Sequence, residues 1–378
     1  SNTDRFGLFD FTRISEIIEE GYVSATKEIE KMKWNISREQ GKAELNARRK
    51  IYRSSLPEVK IDKLEIEGLN SGQSEYIKNI LKPGSEPIPL SRFKSQYFQV
   101  VTDPNVKSVY PMLLYNKETG YFDMTLNVKR EKDFTTQFGG NISTKPVSMA
   151  FVGIQYNIWN KNSYNFSGNF YFGKLYTSGQ LKVRLDSPRK FPFFLEAEAT
   201  VNQYDFFRSS NNSFFTEQKP SYILKSDYLY GLNIGFPSRN KGKIILNGSW
   251  ITISDDYYQT KDFLSTDTAD NTKMRGPTGS ALFEVNTLNK KEYANQGTFF
   301  STKLQYVSVT EFTTPGSTSV DKSKKTDYHD WFQLRLTYEN YFKRIGRIKF
   351  GLYSELVLSN MGFFYNYTST ALNSPGFT

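Results

Sequence analysis

Phe332-Gln333-Leu334-Arg335-Leu336-Thr337-Tyr338-Glu339, followed one turn later by Ile348-Lys349-Phe350-Gly351-Leu352-Tyr353-Ser354-Glu355-Leu356-Val357-Leu358, decides the fold. In both runs every second residue is mostly apolar, and the residues between them include Arg335, Glu339, Lys349 and Glu355. Side chains alternate sides of a strand with a period of two, so each run is a strand with one greasy face and one face carrying both signs of charge. Working outward, the same unit of alternating run and turn recurs about eleven times between Tyr121 and Asn360. The strands are expected at roughly 134 to 143, 148 to 158, 164 to 175, 180 to 187, 193 to 205, 222 to 236, 243 to 254, 280 to 288, 297 to 310, 328 to 341 and 347 to 359.

Alternation alone fits both a soluble sandwich, whose apolar face forms a core, and a membrane barrel, whose apolar face meets lipid. The connections separate the two. One set is short and mostly basic: Asn160-Lys161-Asn162, Ser187-Pro188-Arg189-Lys190, Arg239 to Lys243, Asn289-Lys290-Lys291 and Lys343 to Arg347. The other set includes the long polar stretches Arg208 to Ser221, Asp255 to Gly279, Glu311 to Asp327 and the tail after Asn360. The two sets alternate, as they must when successive hairpin ends lie on opposite sides of a membrane. The fold class expected is mainly β, an antiparallel transmembrane β-barrel over residues 132 to 378.

Composition agrees. Aromatic residues make up 16% of the 378 residues, with 31 Phe, 25 Tyr and 4 Trp, more than a soluble core needs and in line with aromatic girdles at two interfaces. The mean hydropathy of -0.57 does not argue against a barrel, because every second residue of a barrel strand is polar. No apolar run approaches the roughly 20 residues of a spanning helix. The absence of cysteine excludes disulfides and thiolate metal sites. The net charge of +10 is spread over the short turns and over Arg38 to Lys63, where basic groups can meet lipid phosphates. No basic surface interleaved with aromatics accompanies it, so nucleic acid is not an expected partner.

Residues 58 to 131 carry a different pattern. Leu64 and Ile66 alternate with Lys63, Glu65 and Glu67 in a strand ending at Gly68, and a short helix spans Ser74 to Leu81, stopped by Pro83-Gly84. A second helix spans Leu90 to Val101. Val106 to Tyr115 and Tyr121 to Lys129 then form a hairpin across Asn116 to Gly120. This is a small α+β domain with a one-sided sheet. Residues 1 to 57 read as helical, with Asp10 as a cap for a helix carrying Ile14, Ile17, Ile18, Val23, Ala25, Ile29 and Met32, then a polar helical stretch from Arg38 to Tyr52.

The strand ending Ile66-Glu67-Gly68-Leu69, the helix Glu75-Tyr76-Ile77 to Leu81-Lys82-Pro83-Gly84, the helix end Phe98 to Val101 and the strand Tyr121 to Val128 feeding into Phe134 resemble a POTRA domain. With the barrel, residues 60 to 378 resemble the Omp85 superfamily of outer-membrane proteins. Phe9-Asp10-Phe11-Thr12-Arg13-Ile14, with Ile17 to Tyr22 and Ala25, looks like the end of a patatin-like phospholipase domain, as in fusions of patatin, POTRA domain and Omp85 barrel; an amphipathic helix packing on the small domain or a partner is the equal alternative. The resemblance implies a periplasmic POTRA domain and N-terminus and a barrel in the bacterial outer membrane. Its partners would be outer-membrane lipid, a polypeptide substrate or fused passenger, and other outer-membrane assembly proteins. The POTRA edge would take a polypeptide by strand addition at Val106, Ser108 and Tyr110 or at Leu64 and Ile66.

The family also implies sixteen strands and a long loop after the eleventh that carries an Arg-Gly motif into the lumen. Met274-Arg275-Gly276 lies after the seventh strand, so that role is not carried over. An odd strand count leads to the expectation that about five more strands follow and that the polypeptide is longer at both ends, since an exported protein needs a signal peptide.

No catalytic, cofactor or metal site is expected. The Gly-x-Ser-x-Gly elbow and Asp-Gly pair of a patatin hydrolase are missing, and Gly68-Leu69-Asn70-Ser71-Gly72 has the wrong spacing. The single histidine, His329, reads as an exposed residue at a strand mouth, and Asp267-Thr268-Ala269-Asp270 as a solvated loop in preference to a Ca²⁺ site. Lumen-facing groups are expected at Arg184, Glu196, Glu198, Lys303, Arg335, Glu339, Lys349 and Glu355. Three functions remain: the membrane part of a patatin fusion that anchors, exports or inserts a polypeptide, a stand-alone insertase or secretion pore, and a nutrient porin or receptor barrel.

Overall fold

The structure is a computed structural model, and it describes residues 11–33, 41–84, 86–143, 148–189, 191–205, 222–238, 241–260, 262–264, 266–290, 293–346 and 348–365. The chain divides into two units, Ser1–Glu58 and Val59–Thr378. The first unit contains α1 (Ile14–Lys33), entered through a 3-10 turn at Phe11–Arg13, and α2 (Lys42–Ser55). On α1, Ile14, Ile18, Tyr22, Ile29 and Met32 all stay exposed, and no residue of α2 is buried. The second helix starts at Lys42, after the expected Arg38. The expected cap Asp10 and the residues before it lie outside the described residues.

The second unit opens with β1 (Lys60–Glu67), α3 (Ser71–Leu81), β2 (Ile88–Pro89), α4 (Leu90–Val101), β3 (Val106–Tyr115) and β4 (Phe122–Arg130). Helix α3 starts earlier than the spacing of its apolar residues implies, because Asn70 and Gln73 close a capping box. The Asn70 side chain accepts from Gln73 N at 2.9 Å and the Gln73 side chain accepts from Asn70 N at 3.1 Å, a device of about 1 kcal/mol. The sheet runs β2-β1-β4-β3, with β1 parallel and β3 antiparallel to β4. The parallel pair is joined by the crossover through α3 and α4, which a hairpin could not provide. Ile61, Met124, Leu126 and Val128 of the sheet bury against Ile77, Leu81, Phe93 and Val100 of the helices.

That core has one member from elsewhere. Trp159, at the end of the strand Met149–Trp159, packs into it, its indole edge-on to Tyr76 with ring centroids 5.7 Å apart. Around it Gln73 Nε2 donates to the Trp159 carbonyl (3.2 Å), Ser163 Oγ to Asn105 Oδ1 (3.1 Å), and Lys161 pairs with Glu75 (2.9 Å). Gly72 belongs to this contact. A Cβ there would sit 1.5 Å from Asn160 Oδ1, so any larger residue would have to displace the Asn160 side chain from this contact.

The remainder is one antiparallel sheet of eleven strands: β5 (Phe134–Asn141), β6 (Met149–Trp159), β7 (Ser163–Gly173), β8 (Tyr176–Ser187), β9 (Phe193–Asp205), β10 (Tyr222–Ser238), β11 (Gly242–Tyr257), β12 (Asp270–Asn286), β13 (Gly297–Thr314), β14 (Lys325–Ile345) and β15 (Ile348–Ser359). Each strand pairs with the next, so all eleven strands read from the alternation are present. The sheet is open among the described residues: β5 and β15 are its two ends and do not pair with each other. No described helix is long and apolar enough to cross a membrane.

The register aligns the alternation across strands. Asn157, Asn165, Arg184, Glu196, Asn233, Asn247, Ser280, Gln305, Gln333 and Ser359 form one continuous row of directly paired residues from β6 to β15. The adjacent row is Ile158, Tyr164, Leu185, Leu195, Ile234, Leu246, Ala281, Leu304, Leu334 and Leu358. Polar and apolar rows thus lie on opposite faces. The apolar face is the uncovered one: Leu358 is 54% exposed, whereas the Glu196 side chain is 15% exposed.

Two expected loops are shorter than the sequence reading. The Asp255 to Gly279 stretch is strand up to Tyr257 and again from Asp270, and Glu311 to Asp327 is strand up to Thr314 and again from Lys325. Met274-Arg275-Gly276 is therefore inside β12 and not in a loop. Strands β10 to β14 run 16 to 21 residues, beyond the roughly 9–11 that cross a bilayer. The stretch Arg208 to Ser221 lies outside the described residues, between Asp205 at the end of β9 and Tyr222 at the start of β10.

Candidate functional site

Two features offer themselves as functional: the polar face of the large sheet and the free edge of the small one. On the polar face, the register puts Arg184, Glu196, Glu198, Lys303, Arg335, Glu339, Lys349 and Glu355 on the same side. Six of them fall into two clusters. In the first, Lys182 pairs with Glu198 (3.6 Å), Arg184 with Asp186 (2.8 Å) and Glu196 (3.7 Å), and Asn233 Nδ2 donates to both Glu196 and Glu198 (3.2 Å each). The Arg184 guanidinium also stacks on the Phe194 ring at 3.8 Å. In the second, Arg335 reaches Glu355 across the β14–β15 ladder (3.4 Å), with Lys303 directly opposite Arg335. Lys349 lies apart and donates to Asn295 Oδ1 (3.0 Å) in the β12–β13 connection.

A cavity of about 280 Å³ opens between α3 and the ends of β8 to β11, lined by Tyr76, Asp186, Phe194, Pro237 and Lys243 among others. Helix α3 thereby forms one wall of this cavity, through Tyr76, at the short-turn end of the sheet. The Tyr76 hydroxyl donates to Asp103 (2.8 Å), which also accepts from Asn105 N and Nδ2 (2.9 and 2.8 Å). Burial raises both pKa values: desolvation, then the neighbouring carboxylate, pushes Tyr76 up, and desolvation pushes Asp103 up against these hydrogen bonds.

Toward the long-loop end, the same face turns apolar, which alternation in a single strand does not reveal. Met274, Val307, Val309 and Trp331 form a buried cluster, flanked by Ile251 and Ile253, and Met361 and Phe364 from beyond β15 cover it. Glu311 lies there at 1% exposure, its carboxylate accepting from Tyr365 N (3.2 and 3.3 Å) and lying 2.8 Å from His329 Nε2. His329 is therefore a partly covered strand residue, 19% exposed, and not the exposed loop histidine expected, because β14 starts at Lys325 and carries it onto the Glu311 side.

The acidic loop also differs from its reading as merely solvated. Asp267 accepts from Leu264 N (2.7 Å) and Ser317 Oγ (2.8 Å), contacts that hold its pKa down, while Asp270 is buried and accepts from Gly316 N. These bonds stitch two loops together. No group of three His, Cys, Asp or Glu suited to a metal occurs among the described residues.

The small sheet has its free edge at β3. Tyr110, Met112, Leu114 and Tyr115 are exposed along it, whereas Val106 is buried and Leu64 and Ile66 pack against the core from β1. Ser108 pairs opposite Lys129 within the β4 ladder. Pro111 has no N–H and so occupies an edge position whose backbone points away from β4. The Val109 carbonyl, on the same outward side, already accepts from the Tyr97 hydroxyl (3.1 Å). Unspent outward groups therefore remain at Leu113 and Tyr115, toward the hairpin tip, a restriction legible only once α4 is packed. Beyond Ile61, β1 has no β2 partner, but Asp62, Lys63, Glu65 and Glu67 charge that edge and discourage pairing.

No family model matches the chain, and no curated protein is similar to it. Among solved structures it is similar to BamA from Haemophilus ducreyi lacking POTRA domains 1–3, at 14% identity and a TM-score of 0.45, covering 76% of this chain and 56% of that one. It is also similar to CdiB from Escherichia coli, at 11% identity and a TM-score of 0.40 over 81% of this chain and 55% of that one. For CdiB from Acinetobacter baumannii the values are 9% and 0.34, over 80% and 64%. The chain thus spans less than two thirds of the length of each of these proteins.

Proposed function

We propose that the chain is the membrane part of an Omp85-type outer-membrane protein that anchors, exports or inserts a polypeptide. The observation that carries this reading is the pair of adjacent rows, one polar and one apolar, running unbroken over β6 to β15 with the apolar face left uncovered. A soluble sheet of this width would cover that face with another layer. Lipid covers it here. The small α+β domain, running through Glu131 to Asp133 into β5, acts as a periplasmic POTRA domain, and its β3 edge takes an extended segment of the cargo. Residues 1 to 57 are the end of a patatin-like domain, with the hydrolase upstream. A stand-alone insertase or secretion pore without hydrolase is the second reading, distinguished from the first by whether the gene upstream of Ser1 encodes a Gly-x-Ser-x-Gly elbow.

The test is topological. The chain has no cysteine, so Val320→Cys in the β13–β14 loop and Lys241→Cys in the β10–β11 turn are unique labels. In intact cells an impermeant maleimide reaches residue 320 and reaches residue 241 only after the outer membrane is opened. Equal labelling in intact cells sinks the reading.

A further inference from the structure

Helix α2 carries the basic residues Lys42, Arg48, Arg49, Lys50 and Arg53 against a single acidic residue, Glu44. Glu44 is spent on Arg48, one turn away at 3.7 Å. Arg49, Lys50 and Arg53 have no ion-pair partner among the described residues. At 100° per residue, Leu45, Tyr52 and Leu56 fall within a narrow stripe, with Arg48 on one flank and Arg49 and Arg53 on the other. Tyr52 and Leu56 are 66% and 49% exposed, and nothing in the helix is buried. An isolated helix of 14 residues is marginal in water, so its apolar stripe needs a partner to hold it.

The chemistry of that partner follows from the stripe. A greasy centre between long cationic side chains fits an amphiphilic surface: apolar side chains sink below the headgroups while arginine and lysine stems reach back to the phosphates. Nucleic acid would meet the charges and leave Leu45, Tyr52 and Leu56 in water. An acidic protein groove would need its own apolar floor. A phospholipid layer supplies both at once, and the chain's apolar sheet face calls for the same medium.

We infer that α2 is a lipid-contact helix that lies on an anionic phospholipid surface through Arg48, Arg49 and Arg53, with Tyr52 and Leu56 inserted. The inference rests on the membrane reading of the sheet, and the two are read separately.

The full chain bearing Tyr52→Cys, labelled with an environment-sensitive fluorophore, is mixed with vesicles of phosphatidylcholine alone or with 30% phosphatidylglycerol. Insertion of the sheet is followed in the same samples by heat-modifiable gel mobility. The expected result is a blue shift only with the phosphatidylglycerol vesicles, reversed by high salt. With Arg48→Gln, Arg49→Gln and Arg53→Gln together, the partition weakens by about two orders of magnitude, each cation near the surface being worth roughly fivefold. An unshifted label with anionic vesicles overturns the inference, whether or not the sheet inserts. A salt-independent shift, or one given by single-stranded DNA or polyglutamate and not by vesicles, also overturns it. Loss of heat-modifiable mobility alone speaks against the membrane reading of the sheet.

Discussion

Lys303 and Arg335 stand directly opposite one another on β13 and β14, two cations on one face, and the carboxylate that pairs with Arg335, Glu355, comes from the next strand. Glu355→Gln leaves the two cations opposed. The expected loss is about 1 kcal/mol, the ceiling for a pair that solvent still reaches, and adding Lys303→Met recovers most of it. Urea unfolding in lipid vesicles measures both, and an unchanged midpoint for Glu355→Gln contradicts the account.

Leu336 and Arg335 are neighbours on β14 with opposite surroundings. Leu336 pairs with Thr302 and Leu356 on the apolar face. Leu336→Arg is expected to cost roughly 2–4 kcal/mol near the bilayer midplane, and Arg335→Leu less. The reverse ranking in the same unfolding assay would mean that the register is off by one residue.

Asp103 predicts a pH dependence for the small domain. Its pKa is raised from 3.8 in the folded state, chiefly by desolvation. Its contribution is fully favourable below 3.8, where both states are protonated, and is lost as pH rises through the raised folded value, because the buried site then holds a charge. Denaturation followed through Trp159, which abuts Tyr76, should show greater stability at the acidic end of that window. Asp103→Asn should flatten the profile, and an equally steep profile in the variant rules the assignment out.

Strand addition at β3, if it is how cargo is held, uses the tip of the hairpin. Leu113→Pro removes an outward N–H without breaking a rung to β4 and should abolish capture of an extended peptide while leaving the domain folded. Site-specific crosslinking from Tyr115 with the circular dichroism spectrum as control decides it. Undiminished crosslinking in the folded variant would falsify the edge assignment.

The strands were legible because their alternation is local. What local pattern missed has identifiable causes. The first part of β12 reads as a loop because Met274-Arg275-Gly276-Pro277-Thr278-Gly279 is rich in turn residues. In the fold, Gly276 is there because a Cβ would come within 2.1 Å of the Ser308 carbonyl, and the β12–β13 pairing is interrupted at Gly276 and Pro277. The apolar patch of Val307, Val309 and Trp331 has a meaning only when Phe364 folds back onto it. The eight charged residues placed on the polar face could be read from parity alone; the gathering of six of them into two clusters could not, since partners such as Arg184 and Glu196 meet through registration. In the small domain, β1 beside β4 is a long-range choice made by the crossover, and the spending of the Val109 carbonyl on Tyr97 depends on how α4 docks.

The paired rows also act on assembly. Each arriving strand finds, on the strand already in place, a template in which Leu must meet Leu and Asn must meet Asn: Leu334 against Leu304, then Leu358 against Leu334. A strand that zips one residue out of step turns all its leucines toward the polar side at once. The mistake cannot be confined, because the next strand would have to copy it. A strand out of step would forfeit its matched contacts over its whole length, so the register is set for each strand as a unit.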